Sequence, residues 1–87
     1  MLAALHEDWQ LDETARTISR TFNPKTFSRT IAFVNAIAYV STTEGHHPEV
    51  TFSYGDCRVS YRTTAIDGLS ENDFICAAKV DRLAEAL

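Results

Sequence analysis

Positive charge is scarce in this 87-residue chain, in which eight Lys and Arg stand against twelve Asp and Glu. The net charge of −4 works against binding a phosphate backbone, which needs clustered, uncompensated cations. Nucleic acid is therefore not expected as a partner. Cysteine is sparser still. Cys57 and Cys76 are too few for a disulfide scaffold and lack zinc-type spacing, so both read as reduced thiols, Cys76 within the core. No apolar run approaches the roughly 18 residues of a membrane span. The opening Met1-Leu2-Ala3-Ala4-Leu5 has neither the cationic start nor the long apolar centre of a secretion signal. These absences predict a cytoplasmic chain with no membrane partner.

What is present is ordinary globular material, with 45% hydrophobic and 23% charged residues and no repeat, low-complexity stretch or linker. Residues 1–87 are read as one domain. A chain this short buries only about two thirds of its unfolded surface, so burial in a homo-oligomer, dimer or tetramer, is expected. Trp9-Gln10-Leu11 and Thr14 to Phe22 read as two strands, with Ile18 and Phe22 alternating onto one face. Trp9 reads as core. Asn23-Pro24 then opens a helix that runs to about Thr43 and stops at Gly45. Its stripe Phe27, Ile31, Val34 and Ala38, widened by Phe33, Ile37 and Val40, asks for two covering surfaces. Val50, Phe52 and Tyr54, then Val59, Tyr61 and Thr63, alternate as a hairpin about the turn Tyr54-Gly55-Asp56-Cys57. Ser70-Glu71-Asn72-Asp73 resembles a capping box before a helix carrying Cys76, Val80, Leu83 and Leu87 on one side. The order strand, strand, helix, strand, strand, helix implies an α+β fold, a four-stranded antiparallel sheet with helices packed on one face.

Chemistry concentrates at Glu44-Gly45-His46-His47-Pro48, where the long helix gives way to a strand. Imidazole both gives and takes a proton near neutrality, so a histidine pair at an element junction points to acid/base work, although a pair in a loop is also compatible with solvated surface. A metal site is not expected, because adjacent side chains diverge and no third ligand stands near. His6 reads as surface. Arg16 and Arg20 share parity with Ile18, and the pair reads as charge protecting a strand edge, with anion binding as the alternative.

The run His46-His47-Pro48, then Tyr54, then Gly68-Leu69-Ser70-Glu71-Asn72-Asp73-Phe74 with Ala77-Ala78-Lys79-Val80-Asp81, closely resembles the pterin-4a-carbinolamine dehydratase family. Asp8-Trp9-Gln10-Leu11 and Phe33-Val34-Asn35 fit the same pattern, so the resemblance covers nearly the whole chain. It implies removal of water from a 4a-hydroxytetrahydropterin, without metal or cofactor. It also implies a site in which His46 and His47 are the first two catalytic histidines, Tyr54 an aromatic position for the pterin ligand, and Asp73 the supporting acid.

Two elements of that pattern are replaced. The third histidine falls on Thr64, and the acid four places before His46 falls on Thr42. Asp67 stands in place of a glycine and is the only titratable residue nearby that could compensate. A threonine hydroxyl exchanges no proton near neutral pH, and one positioned proton-transfer group contributes roughly 10²- to 10⁴-fold in rate. The degenerate site favours a non-catalytic protein that binds other proteins. Within the family one branch assists Rubisco assembly in α-carboxysomes and another is a dimerisation cofactor of a homeodomain transcription factor. The first is the closer likeness, because the second keeps all its histidines. It implies the Rubisco large subunit as partner, carboxysome association, and Arg16, Arg20, Arg58 and Arg62 as polar contacts on an exposed sheet face. The alternative is an active dehydratase in which His46 transfers the proton, His47 orients the pterin and Asp73 supports the site.

Overall fold

The structure, a computed structural model, describes residues 7–62 and 71–86. Its elements are β1 (Gln10–Asp12), β2 (Thr17–Phe22), α1 (Phe27–Glu44), β3 (Glu49–Phe52), β4 (Cys57–Tyr61) and α2 (Glu71–Glu85). The four strands form one antiparallel sheet in the order β1-β2-β4-β3. The α+β class and the single four-stranded sheet are as expected, and strand periodicity explains the face that is buried. Ile18 and Phe22 on β2 and Cys57, Val59 and Tyr61 on β4 all point to one side, where Phe33 and Ile37 of α1 and Cys76, Ala77 and Val80 of α2 close the core. Trp9 joins it edge-on to Phe22, with ring centroids 6.2 Å apart, and Phe22 in turn meets Phe33 at 4.9 Å. The opposite face carries Gln10, Asp12, Thr17, Ser19, Thr21, Glu49, Thr51, Arg58 and Ser60 by register, all of them polar.

Several local expectations are corrected. The segment from Thr14 to Arg16 is the turn between β1 and β2, where the Asp12 carboxylate accepts the Ala15 N–H at 3.0 Å and Arg16 adopts φ 56°. α1 begins three residues later than Pro24, because Lys25 takes φ 77° and the Asn23 side chain is spent accepting the Lys25 N–H at 3.2 Å. Thr26 is the N-cap instead, its hydroxyl accepting from the Arg29 N–H at 3.2 Å. The stripe that faces the core is Thr30, Phe33, Ile37 and Ser41. Phe27 and Ala38 are exposed while Ile31 and Val34 are half-buried, Val34 packing against the core, so the stripe expected to lead lies at the margin of the buried face. Small hydroxyl residues hide this stripe from a hydropathy reading, since each bonds within the helix: Ser41 donates to the Ile37 carbonyl at 2.8 Å and Thr30 to the Thr26 carbonyl at 2.9 Å. Thr30 also lies 3.1 Å from the Tyr54 carbonyl, tying the β3–β4 turn to α1. Cys57 is the first residue of β4 and fully buried, not part of the turn.

The edge strands are β1 and β3, so β2 is interior and the edge-protection role expected of Arg16 and Arg20 does not hold. Arg20 lies on the helix-covered face. Its Nη1 donates to Asp81 Oδ1 on α2 at 2.8 Å, its guanidinium rests 4.3 Å above the Phe22 ring, and the same carboxylate oxygen accepts the Trp9 indole N–H at 2.7 Å. One acid thus gathers the N-terminal segment, β2 and α2. No helix among the described residues is long and apolar enough to cross a membrane.

Candidate active site

Gly45 decides where the first histidine goes. It closes α1 in the left-handed conformation, φ 65° and ψ 28°, and its N–H returns to the Ser41 carbonyl. The His46 N–H bonds the same carbonyl at 3.2 Å, so the chain leaves the helix along a fixed path. That path brings the His46 ring beside the first turn of α2, where Nε2 lies 2.5 Å from Asp73 Oδ1. Asp73 is completely buried and the His46 side chain keeps 16% of its exposure. A carboxylate without solvent is tolerated only with hydrogen-bonding partners. The imidazole supplies one, and with Nε2 facing the acid, Nδ1 is the nitrogen left for other chemistry.

Two further contacts fix the pair. The Tyr61 ring, at the end of β4, lies nearly parallel to the imidazole, 16° between planes and 5.7 Å between centroids. Lys79 Nζ reaches Glu44 Oε2 at 2.6 Å, bracing the end of α1 against α2 one and a half turns beyond Asp73. Burial keeps the neighbouring groups neutral. It raises the Cys76 thiol, with Glu44 adding to the effect and Lys79 opposing it, and it raises the Tyr61 phenol, with Cys76 and Asp73 adding to that.

His47 goes the other way. It is exposed and lines a surface cleft with Thr17, Pro48, Glu49, Ser60 and Arg62 on the polar side of the sheet. The adjacent histidines therefore serve two sides of one strand end, as alternation requires where the chain is extended. Tyr54 is not brought to His46 in the single chain. It follows the far end of β3, 70% exposed, and stacks on Phe27 with centroids 6.3 Å apart. Thr64 and Asp67 lie outside the described residues. Arg58 is exposed on the open face, its Nη2 donating to the Ser19 hydroxyl at 3.2 Å, and Arg62 is exposed just after β4. Arg16 sits exposed in the β1–β2 turn, whereas Arg20 is withdrawn under α2. Among the described residues no group of three His, Cys, Asp or Glu is placed to hold a metal.

Tyr61, Glu44 and Lys79 are site residues to which the sequence alone assigned no role. The alternation of β4 puts Tyr61 on the inward face, but only the seating of α2 reveals what it touches.

A family model described as pterin 4 alpha carbinolamine dehydratase matches residues 1–83. A protein of Nitrosomonas eutropha is 57% identical over 83 residues, covering 95% of this chain and 72% of its own length. One from Legionella pneumophila is 48% identical over 83 residues, covering 95% and 74%. Both are provisionally named pterin-4-alpha-carbinolamine dehydratases. Among solved structures, a transcriptional coactivator/pterin dehydratase from Brucella melitensis superposes with a TM-score of 0.89 at 31% identity, over 95% of this chain and 87% of that one. A pterin dehydratase-like protein identified as a RuBisCO assembly factor in the alpha-carboxysome superposes with a TM-score of 0.78 at 25% identity, over 91% and 92%.

Proposed function

Because the chain belongs to the pterin 4 alpha carbinolamine dehydratase family, we propose that it dehydrates a 4a-hydroxytetrahydropterin through His46. The observation that carries this reading is the His46–Asp73 pair, a buried acid fixing one ring nitrogen of a histidine that still reaches solvent. The reaction breaks the C4a–O bond and forms a C4a–N5 double bond. A proton goes to the departing hydroxyl, and the N5 proton is removed. Each transfer suits an imidazole held in one orientation. His46 is the proton-transfer group, Asp73 holds it, and His47 with the polar cleft around it orients the pterin. Thr64, in the third histidine's place, leaves one of the two transfers to solvent, so the enzyme works below the rate of a three-histidine site.

A second reading has its own support. The replacement at Thr64 and the likeness to the carboxysomal assembly factor favour a protein that binds Rubisco and turns over no pterin. Its contact surface would be the polar sheet face with Arg58 and Arg62. Self-association belongs to either reading, through the face of α1 that leaves Tyr39 exposed.

The test is the rate of 4a-hydroxytetrahydropterin dehydration by the parent and by Thr64→His, each against the uncatalysed background. The dehydratase reading expects a parental rate above background and a gain of roughly 10²-fold or more on restoring the histidine. A parent at background, with or without rescue by histidine, overturns it in favour of the binding role.

A further inference from the structure

Tyr61 fills the centre of the molecule with no exposed surface, yet its hydroxyl has no hydrogen-bond partner among the described residues. Buried phenols usually find one. Neither the sheet nor α2 pins the ring by its oxygen, so among the described residues the ring is held by packing alone. On one side is Trp9, 6.4 Å away between centroids and tilted by 43°, itself anchored to Asp81. On the other is His46, nearly parallel at 5.7 Å. At that separation two nearly parallel rings are strongly offset, so the edge of one lies beside the other. What Tyr61 gives the site it gives through this ring contact.

We propose that Tyr61 is a positioning residue for His46: its ring limits the swing of the imidazole about its hydrogen bond to Asp73 and so holds Nδ1 in one direction for proton transfer. The acid alone fixes a nitrogen, not a plane, because an imidazole can swing about a single hydrogen bond. Contact with a flat, immobile neighbour removes that freedom. The chain of contacts is continuous from α2 back to the site, running from Asp81 through Trp9 and Tyr61 to His46 and from there to Asp73, which returns to α2. The phenol stays neutral throughout, since burial raises it and Cys76 and Asp73 add to the effect.

The proposal rests on His46 as the proton-transfer group, and its test separates the two claims. Tyr61→Phe and Tyr61→Leu are compared with the parent by imidazole nitrogen NMR with the ring neutral, and by steady-state kinetics. In the parent and in Tyr61→Phe, the His46 ring nitrogens should give one sharp set of resonances. In Tyr61→Leu the Nδ1 resonance should broaden by exchange between ring orientations, while kcat falls roughly ten- to a hundredfold and KM holds; the Phe variant should recover most of that loss. A folded Tyr61→Leu that keeps the sharp set, or a Tyr61→Phe that broadens as fully as Leu does, overturns the proposal. Absence of turnover in the parent overturns the dehydratase reading instead, and the resonance comparison still decides on Tyr61.

Discussion

Asp73 has no exposed surface whereas its partner His46 keeps 16% of its side chain in contact with solvent, although the two join at 2.5 Å. The asymmetry separates an anchor from a working group. A side chain that solvent does not reach can still fix the orientation of a ring that meets solvent. The pair also closes the molecule, because it links the end of α1 to the first turn of α2 across 27 positions of chain.

Removing either member should have distinct effects. His46→Ala is expected to lower kcat for pterin dehydration roughly 10²- to 10⁴-fold, the contribution of one positioned proton-transfer group. Asp73→Asn keeps the shape and a hydrogen bond but not the charge, and its loss should be smaller, of order 10²-fold. Asp73→Ala should in addition cost about 1–3 kcal/mol of stability, read by urea unfolding, because it strips a largely buried imidazole of its partner.

Asp81 is expected to matter for folding and not for chemistry. Its carboxylate accepts both the Trp9 indole and the Arg20 guanidinium. Asp81→Ala leaves those donors without it and should cost about 2–4 kcal/mol, while Asp81→Asn, which still offers an oxygen to the indole, should cost less. Equilibrium denaturation of the three proteins checks the order. Equal stability of parent and Asp81→Ala would refute it.

Cys57 gives a prediction at alkaline pH. Burial pushes its thiol from 9.0 up to about 11. The folded chain therefore holds a proton that the unfolded chain releases. The associated stability is fully present below pH 9 and declines as pH rises toward 11, by up to a few kcal/mol, since each tenfold difference in proton affinity is worth about 1.4 kcal/mol. Unfolding free energies measured between pH 8 and 11 should show this decline, and Cys57→Ala should make it shallower, with Cys76 and Tyr61, both raised by burial, supplying what remains. The same burial means that Cys57 should resist alkylation at about pH 8 until the protein is denatured.

Much of the architecture is readable from local pattern. Alternation at period two marks β2 and β4, and the 3.6-residue period with Gly45 behind it marks α1 and its end. Where the pattern misled, a local detail competed with it. Asn23-Pro24 looks like a helix start, yet the left-handed backbone at Lys25 postpones the helix to Phe27. Likewise the core stripe of α1 contains Thr30 and Ser41, which no hydropathy pattern selects. His46 and Asp73 were legible because the family likeness marks both. Tyr61 was not legible as a site residue, since its inward parity is shared with Cys57 and Val59, and parity does not say which of the three meets the histidine.

Element order and the buried face of each interior strand follow from periodicity along the chain, and the pair His46 and Asp73 follows from the family likeness of the motifs that carry them. Only the tertiary structure decided that β2 is interior, so that Arg20 meets Asp81 across 61 positions instead of guarding an edge. It also decided that two adjacent histidines serve opposite sides of the sheet and that Tyr61 lies nearly parallel to one of them. Such contacts depend on strand order and on how the helices seat on the sheet, and a chain's local pattern leaves both of these open.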